Sequence, residues 1–204
     1  MPASDRFVDR PSDTADLERC LLPQRLRTRQ NQRRKIFVLY GLGDIGKTQL
    51  AVDFARRHKD TFTSIFRLDG RSEDRLKQSI AGCASRIPEG QIPHRSQNAI
   101  LSSEGDIDAV VTDVLGWLAR PDNVDWLLVF DNVDQDYEQG GGAGAYDVGQ
   151  YFPGDHGSVL VTTRLARLER LTPPLGDSKL LSTVNEGLAK AIFKKWYGSE
   201  LGGP

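Results

Sequence analysis

Four short apolar runs punctuate the 204-residue chain, and they constrain its fold more than any other feature. The runs are IFVLY (36–40), SIFRL (64–68), WLLVF (126–130) and SVLVTT (158–163). Three of them are almost continuously apolar, with no alternation of apolar and polar residues. Such runs are typical of strands that are covered on both faces of a parallel sheet. The sequence therefore predicts a buried parallel sheet.

Helical stretches lie between these strands. In TQLAVDFARRH (48–58), SEDRLKQSIAGCA (72–84) and DIDAVVTDVLGWLA (106–119), the apolar residues recur on one helical face. Ser72 and Glu73 form a start signal for the second helix. Strands that alternate with helices imply right-handed βαβ crossovers. We expect an α/β fold, namely a doubly wound parallel sheet with helices on both faces.

The remaining segments are assigned with the same criteria. A fifth strand is predicted over 179–182 and a last helix over 185–196. Residues 86–104 and 135–150 are predicted as loops, because they combine proline or glycine with polar residues and lack periodicity. We divide the chain into an N-terminal segment with a basic linker, 1–35, and an α/β core, 36–204.

Composition restricts the possible partners. The formal net charge of −1 predicts no general attraction to nucleic acid or to an anionic membrane. QRLRTRQNQRRK (24–35) is basic but has no interleaved aromatic residues, so we interpret it as a solvated linker, with nucleic-acid binding as the alternative. Cys20 and Cys83 are too few for a disulfide framework, and no apolar stretch is long enough for a signal peptide or a membrane span. We expect a cytoplasmic protein.

The stretch YGLGDIGKTQLA directly follows the first predicted strand and leads into a helix. Gly41, Gly46, Lys47 and Thr48 fit the pattern G-x-x-x-x-G-K-[ST], in which backbone N–H groups and the helix N-terminus surround phosphates. The lysine is predicted to reach the β- and γ-phosphates, and the threonine hydroxyl to ligate Mg²⁺. The alternative is a glycine-rich turn that ends in a surface lysine. The residues predicted to surround the nucleotide phosphates are Gly41, Leu42, Gly43, Asp44, Ile45, Gly46, Lys47, Thr48 and Gln49.

An acidic partner for this loop is predicted at the end of the strand WLLVF. Asp131 follows the strand directly and is our candidate for holding the metal together with Thr48; a turn or helix-capping role is the alternative. The next position is Asn132, and an amide cannot accept a proton from water. Asp134 is the remaining carboxylate within reach, and its roles as a catalytic group and as a solvated loop residue stay open.

Taken together, four segments resemble one family. FVDR (7–10), YGLGDIGKTQLA, WLLVFDNVD (126–134) and GSVLVTTR (157–164) are similar, in this order, to motifs of the NB-ARC domain of the signal-transducing ATPases, the STAND or NOD-like receptor group, and most of all to fungal members. The resemblance implies a five-stranded sheet of the P-loop NTPase (ASCE) type. It also implies that the TTR strand lies between the phosphate-loop strand and the WLLVF strand.

The same resemblance implies roles for further residues. Val8 and Arg10 are expected to line an adenine pocket, and Arg164 to sense the γ-phosphate; a surface arginine is the alternative for Arg164. Lys47, Asp131, Asp134 and Arg164 form the expected catalytic set. Where the family has glycine, this chain has Asp44, whose charge is expected to weaken phosphate binding unless it points outward. The helical (ARC) and winged-helix parts that follow in the family find no match here, which predicts a nucleotide-binding core alone.

The function predicted from these observations is a switch that binds ATP or ADP with Mg²⁺ and hydrolyses ATP slowly. In the family, the two nucleotides favour different conformations, and one of them oligomerises. We therefore expect self-association or contact with the absent domains, as well as a role in innate-immune signalling. A working NTPase and a non-hydrolysing scaffold remain as alternatives, the second because of Asp44 and Asn132.

Overall fold

The computed structural model describes residues 10–23, 33–98, 106–135, 144–172 and 177–181. Its strands are β1 (Lys35–Tyr40), β2 (Ser64–Asp69), β3 (Trp126–Asp131), β4 (Ser158–Thr163) and β5 (Asp177–Leu180). Its α-helices are α1 (Pro11–Leu21), α2 (Lys47–Arg57), α3 (Glu73–Ala81), α4 (His94–Asn98) and α5 (Ile107–Leu118). Short 3₁₀ turns cover Ala84–Arg86, Val148–Tyr151 and Ala166–Leu171.

The five strands form one sheet in the order β2-β3-β4-β1-β5, and every neighbouring pair is parallel. The expected fold class is thereby confirmed, and β4 lies between β1 and β3 as expected. Because all strands point the same way, their carboxyl ends meet at one edge, where ligands bind in open α/β sheets. The loops after β1, β3 and β4 are consequently neighbours.

Successive side chains of the inner strands β1, β3 and β4 enter two different hydrophobic cores, which is why these strands read as continuous apolar runs. In β1, Ile36 and Val38 face one core, whereas Phe37 and Leu39 face the other. Helices α3 and α5 cover the first core, and α1 and α2 cover the second. All of these strand residues are at most 3% exposed. The sheet is thus covered on both faces.

Helix α1 belongs to the second core, since Leu17 and Leu21 are fully buried in it. Charged contacts also tie α1 to the edge strand β5: Lys179 Nζ lies 2.7 Å from a carboxylate oxygen of Asp13, and Arg19 donates to Asp177 at 2.8 Å. Residues 11–21 therefore pack as part of the sheet domain. This packing fixes the position of Arg10, directly before the helix.

Two expectations need adjustment, and two lie outside the described residues. The predicted loop 86–104 contains α4, a single turn that no apolar periodicity marks; it is held by a hydrogen bond of 2.6 Å from the Ser96 hydroxyl to Asp113 on α5. The fifth strand starts and ends two residues earlier than predicted, over Asp177–Leu180. The last helix at 185–196 and most of the basic stretch 24–35 lie outside the described residues, as does much of 135–150. None of the helices in the described ranges is long and apolar enough to cross a membrane.

Candidate functional site

The loop between β1 and α2 wraps around the start of α2. Gly41 and Gly46 have φ angles of +148° and +97°, which side chains other than glycine rarely allow. A Cβ on Gly41 would also lie 2.6 Å from the carbonyl oxygen of Leu181, so the site requires glycine for space as well. Gly46 is the N-cap of α2 but has no side chain to cap it. The first N–H groups of this helix therefore point out of its end toward the loop.

Lys47 is the first residue of α2 and is only 7% exposed. Its ammonium group donates to the carbonyl oxygens of Gly41 (2.8 Å) and Leu42 (2.6 Å), which closes the loop on itself. Burial lowers the pKa of Lys47; the negative charge of Asp134 opposes this shift, and the positive charge of Arg164 adds to it. The predicted phosphate-binding lysine is thus buried inside the loop, beside two of the other predicted site residues.

The predicted metal-binding pair is in direct contact. The Thr48 hydroxyl donates to Oδ1 of Asp131 at 2.7 Å, and Asp131 is 2% exposed at the end of β3. A second hydroxyl, that of Thr162 on β4, donates to the same oxygen at 2.6 Å. The structure therefore brings together the loop, β3 and β4 at one carboxylate.

Arg67 on β2 completes the surroundings of Asp131. Its Nε donates to Oδ2 of Asp131 at 3.0 Å, and its terminal nitrogen donates to the same oxygen. Sequence reasoning missed both Arg67 and Thr162. A signal for Arg67 was present, because it is a charged residue inside the largely apolar run SIFRL. Nothing comparable marked Thr162.

The chain turns sharply after β3. Asn132 adopts a left-handed conformation with φ of +61°, and its N–H donates to the Thr162 hydroxyl at 3.0 Å. Asp134 then lies beside Arg164, whose backbone N–H donates to Oδ1 (2.7 Å) and whose Nε lies 3.1 Å from Oδ2. The expected catalytic acid and the expected phosphate sensor therefore form one ion pair.

Arg164 also lies against the phosphate loop. A Cβ on Gly43 would be 3.6–3.7 Å from three atoms of the guanidinium group, at ordinary contact distance. The side chain of Arg164 is 64% exposed, so it borders the opening of the site. Arg10 contacts the loop as well: it donates to the carbonyl oxygen of Ile45 at 2.9 Å and is 8% exposed. Val8, its expected partner at the adenine, lies outside the described residues.

A cavity of about 240 Å³ opens between these groups. It is lined by Gly43, Asp44, Gly46, Lys47, Thr48, Gln49, Asn132 and Arg164. Asp44 is exposed and has a φ of +58°; with Asn132 it makes up the non-glycine residues of positive φ in the described part of the chain. Left-handed backbone at non-glycine residues is uncommon and concentrates at functional sites. A positive φ is a conformation that glycine adopts at less cost than Asp44 does.

The donors at this cavity suit a nucleotide with its magnesium ion. Across the described residues, no three His, Cys, Asp or Glu side chains come together as metal ligands. Magnesium at phosphates needs less from the protein, since it keeps several waters and uses one or two protein oxygens with the phosphate oxygens. Thr48 and Asp131 supply such oxygens beside an uncapped helix start, which favours anions.

No protein-family model matches the sequence, and no curated protein matches it. Solved structures do match. The crystal structure of Cdc6p from Pyrobaculum aerophilum superimposes with a TM-score of 0.57 at 14% sequence identity. The likeness covers 95% of this chain and 50% of that one, so this chain spans half the length of Cdc6p in that structure. The two structures therefore share their α/β fold. At this level of identity the likeness concerns the fold alone.

Proposed function

We propose that the chain is an adenine-nucleotide switch domain that binds ATP or ADP with Mg²⁺ and hydrolyses ATP slowly. The observation that carries the proposal is the convergence of Lys47, Thr48 and Arg164 around one cavity at the carboxyl edge of the sheet, with Asp131 bonded to Thr48 behind it. The alternative interpretation was a glycine-rich turn that ends in a surface lysine. Lys47 is only 7% exposed, so that alternative does not fit.

The residues of the site have distinct tasks in this proposal. Lys47 exchanges its bonds to the carbonyls of Gly41 and Leu42 for phosphate oxygens, while the N–H groups at the start of α2 bind further oxygens. Thr48 and Asp131 hold Mg²⁺, which supplies charge stabilisation at the phosphates when bound. Arg164 forks across oxygens of the terminal phosphate and thereby distinguishes ATP from ADP.

Slow hydrolysis is supported by the groups that follow β3. Asn132 cannot accept a proton, and Asp134 is occupied by Arg164 through both a backbone and a side-chain contact. When the terminal phosphate takes the guanidinium group, Asp134 loses its ionic partner and can orient water. A non-hydrolysing scaffold is the second candidate, and the engagement of Asp134 by Arg164 is the observation that favours it.

The wider role is proposed by resemblance to the NB-ARC domain of NOD-like signalling proteins. In that role the domain is cytoplasmic, and adenine is read by the segment around Arg10, which contacts the phosphate loop through Ile45. ADP and ATP favour two conformations because Arg164 gives them different affinities in the two states. One conformation then self-associates or contacts further domains of a signalling protein.

The test is calorimetric titration of ADP and ATP, with and without Mg²⁺, against the purified chain and its Lys47→Ala variant. Phosphate release is followed in parallel. Lys59→Ala is the matched control, since Lys59 is an exposed lysine just beyond α2. We expect binding that Lys47→Ala abolishes and Lys59→Ala retains, with turnover of minutes or slower.

Other outcomes separate the alternatives. A steady rate near one per second identifies a working NTPase. Binding without phosphate release identifies the scaffold. If the unmutated chain binds neither nucleotide but Asp44→Gly does, the charge or the strained backbone at Asp44 blocks the loop. If neither binds, the proposal is wrong for this chain.

A further inference from the structure

The carboxylate of Asp131 already has a complete set of donors. Oδ1 accepts from the hydroxyls of Thr48 and Thr162, and Oδ2 accepts two N–H groups of Arg67. The carboxylate is 2% exposed, whereas the side chain of Arg67 is 33% exposed. The two oxygens thus have different surroundings: Oδ1 faces the phosphate loop, and Oδ2 faces the edge strand β2.

Charge explains why this arrangement matters. An isolated buried carboxylate is costly, and the guanidinium group of Arg67 provides its counter-charge from the neighbouring strand. A divalent cation near Oδ1 is attracted by the carboxylate and repelled by the guanidinium group. The pair Arg67–Asp131 carries no net charge, so it attracts Mg²⁺ much less than a lone carboxylate at the same place.

We propose that Arg67 is a positioning residue that acts through Asp131: it holds Oδ1 toward Thr48 and reduces the contribution of Mg²⁺ to nucleotide binding. The inference rests on the proposed nucleotide site and names a regulator of it. Arg67 makes the metal carboxylate stable when Mg²⁺ is absent. The domain can therefore retain its nucleotide when the metal leaves, which suits a switch that holds ADP for long periods.

The experiment uses the whole chain and its Arg67→Gln variant. Arg71→Gln is the matched control, because it removes a guanidinium group from the same edge of the sheet but one that pairs with Asp69. The first readout is thermal unfolding without nucleotide, with and without millimolar MgCl₂. The second is the ratio of the Kd for ADP measured without Mg²⁺ to the Kd measured with it.

We expect MgCl₂ alone to leave the melting temperatures of the unmutated chain and of Arg71→Gln unchanged. It should raise that of Arg67→Gln by about 3 °C or more, because the ion replaces the lost counter-charge. The Kd ratio should increase at least about tenfold in Arg67→Gln relative to the unmutated chain. A variant that is less stable but has an unchanged Kd ratio and no response to MgCl₂ shows that Arg67 is purely structural, and overturns the inference.

A second variant covers the case in which Arg67→Gln does not fold. Arg67→Lys keeps a positive charge but replaces the fork of donors by one flexible ammonium group, so it holds Oδ2 less well. Its Kd ratio should rise about threefold, and an unchanged ratio overturns the inference. The thermal readout needs no nucleotide. A chain that binds no nucleotide, yet shows the MgCl₂ response in Arg67→Gln, therefore contradicts the proposed function and supports the role of Arg67.

Discussion

The ion pair between Asp134 and Arg164 leads to a quantitative prediction for the variant Asp134→Asn. In the unmutated chain, the backbone N–H of Arg164 donates to Oδ1 of Asp134 at 2.7 Å. The amide oxygen of asparagine can accept the same hydrogen bond, so the turn after β3 is expected to persist. The variant loses the ionic contact between Oδ2 of Asp134 and Nε of Arg164, which is 3.1 Å long in the unmutated chain. The two side chains are 64% and 28% exposed, and an ion pair screened to this extent contributes about 0.5–1 kcal/mol.

In the proposed site, this contact competes with the terminal phosphate of ATP for Arg164. Removing the competitor is expected to strengthen ATP binding by the same free energy, which is a factor of about two to five in Kd. Loss of a nearby negative charge also strengthens the binding of any phosphate. The ratio of the Kd for ADP to the Kd for ATP removes the part of that effect that both nucleotides share, and this ratio should increase about two- to fivefold.

Calorimetric titration with Mg²⁺ measures both constants for the unmutated chain, for Asp134→Asn and for Asp122→Asn. Asp122 is an exposed acid in the turn before β3, so it controls for the change in net charge. We expect its variant to leave the ratio unchanged. If Asp134→Asn leaves the ratio unchanged as well, Arg164 does not exchange a carboxylate for phosphate, and the reasoning fails.

Two further predictions concern stability. Gly157→Ala places a Cβ 2.3–2.5 Å from the ring of the fully buried Trp126 and should lower the free energy of unfolding by about 3 kcal/mol or more. Gly90 has the same φ of +78° but open space around it, so Gly90→Ala should lower the free energy of unfolding by about 1 kcal/mol. Equal costs in denaturant titrations would show that backbone strain, not the ring, decides. The hydrogen bonds of Arg71 hold the pKa of Asp69 at about 2, below the ordinary 3.8. The ionised Asp69 carboxylate therefore stabilises the fold above pH 3.8, and this stabilisation is lost as the pH falls toward 2. Asp69→Asn should therefore lower the melting temperature by about 2 °C at pH 6 and by progressively less below pH 4, and a difference independent of pH would refute this assignment.

The sequence predicted the sheet well because its inner strands β1, β3 and β4 are buried on both faces. Each of the four apolar runs became a strand with bounds that agree within a residue, since most positions in them belong to one core or the other. The single turn α4 was missed because Ser96 and Asp113 hold it by a polar contact, and such contacts leave no periodic pattern.

The candidate site was predicted only in part, for a related reason. The motif around Lys47 is local, so its residues could be read directly from the sequence. The partners of Asp131 come from β2 and β4, and their proximity depends on the strand order β2-β3-β4-β1, which brings Arg67 and Thr162 to its two sides. Likewise, no sequence pattern states that Asp134 and Arg164 share a hydrogen-bonded pair.

Three consecutive residues, the last two of β4 and the one that follows, bind the chain that leaves β3. The hydroxyl of Thr162 holds the Asp131 carboxylate, that of Thr163 donates to the carbonyl of Val133 at 2.6 Å, and Arg164 holds Asp134. These three contacts connect the two neighbouring strand ends. In the proposed site, a movement of Arg164 toward a ligand would therefore also act on the Asp131 carboxylate, because Thr162, two residues before Arg164, holds it. The proposed sensor Arg164 and the proposed metal carboxylate Asp131 are thus mechanically coupled through three adjacent hydrogen bonds.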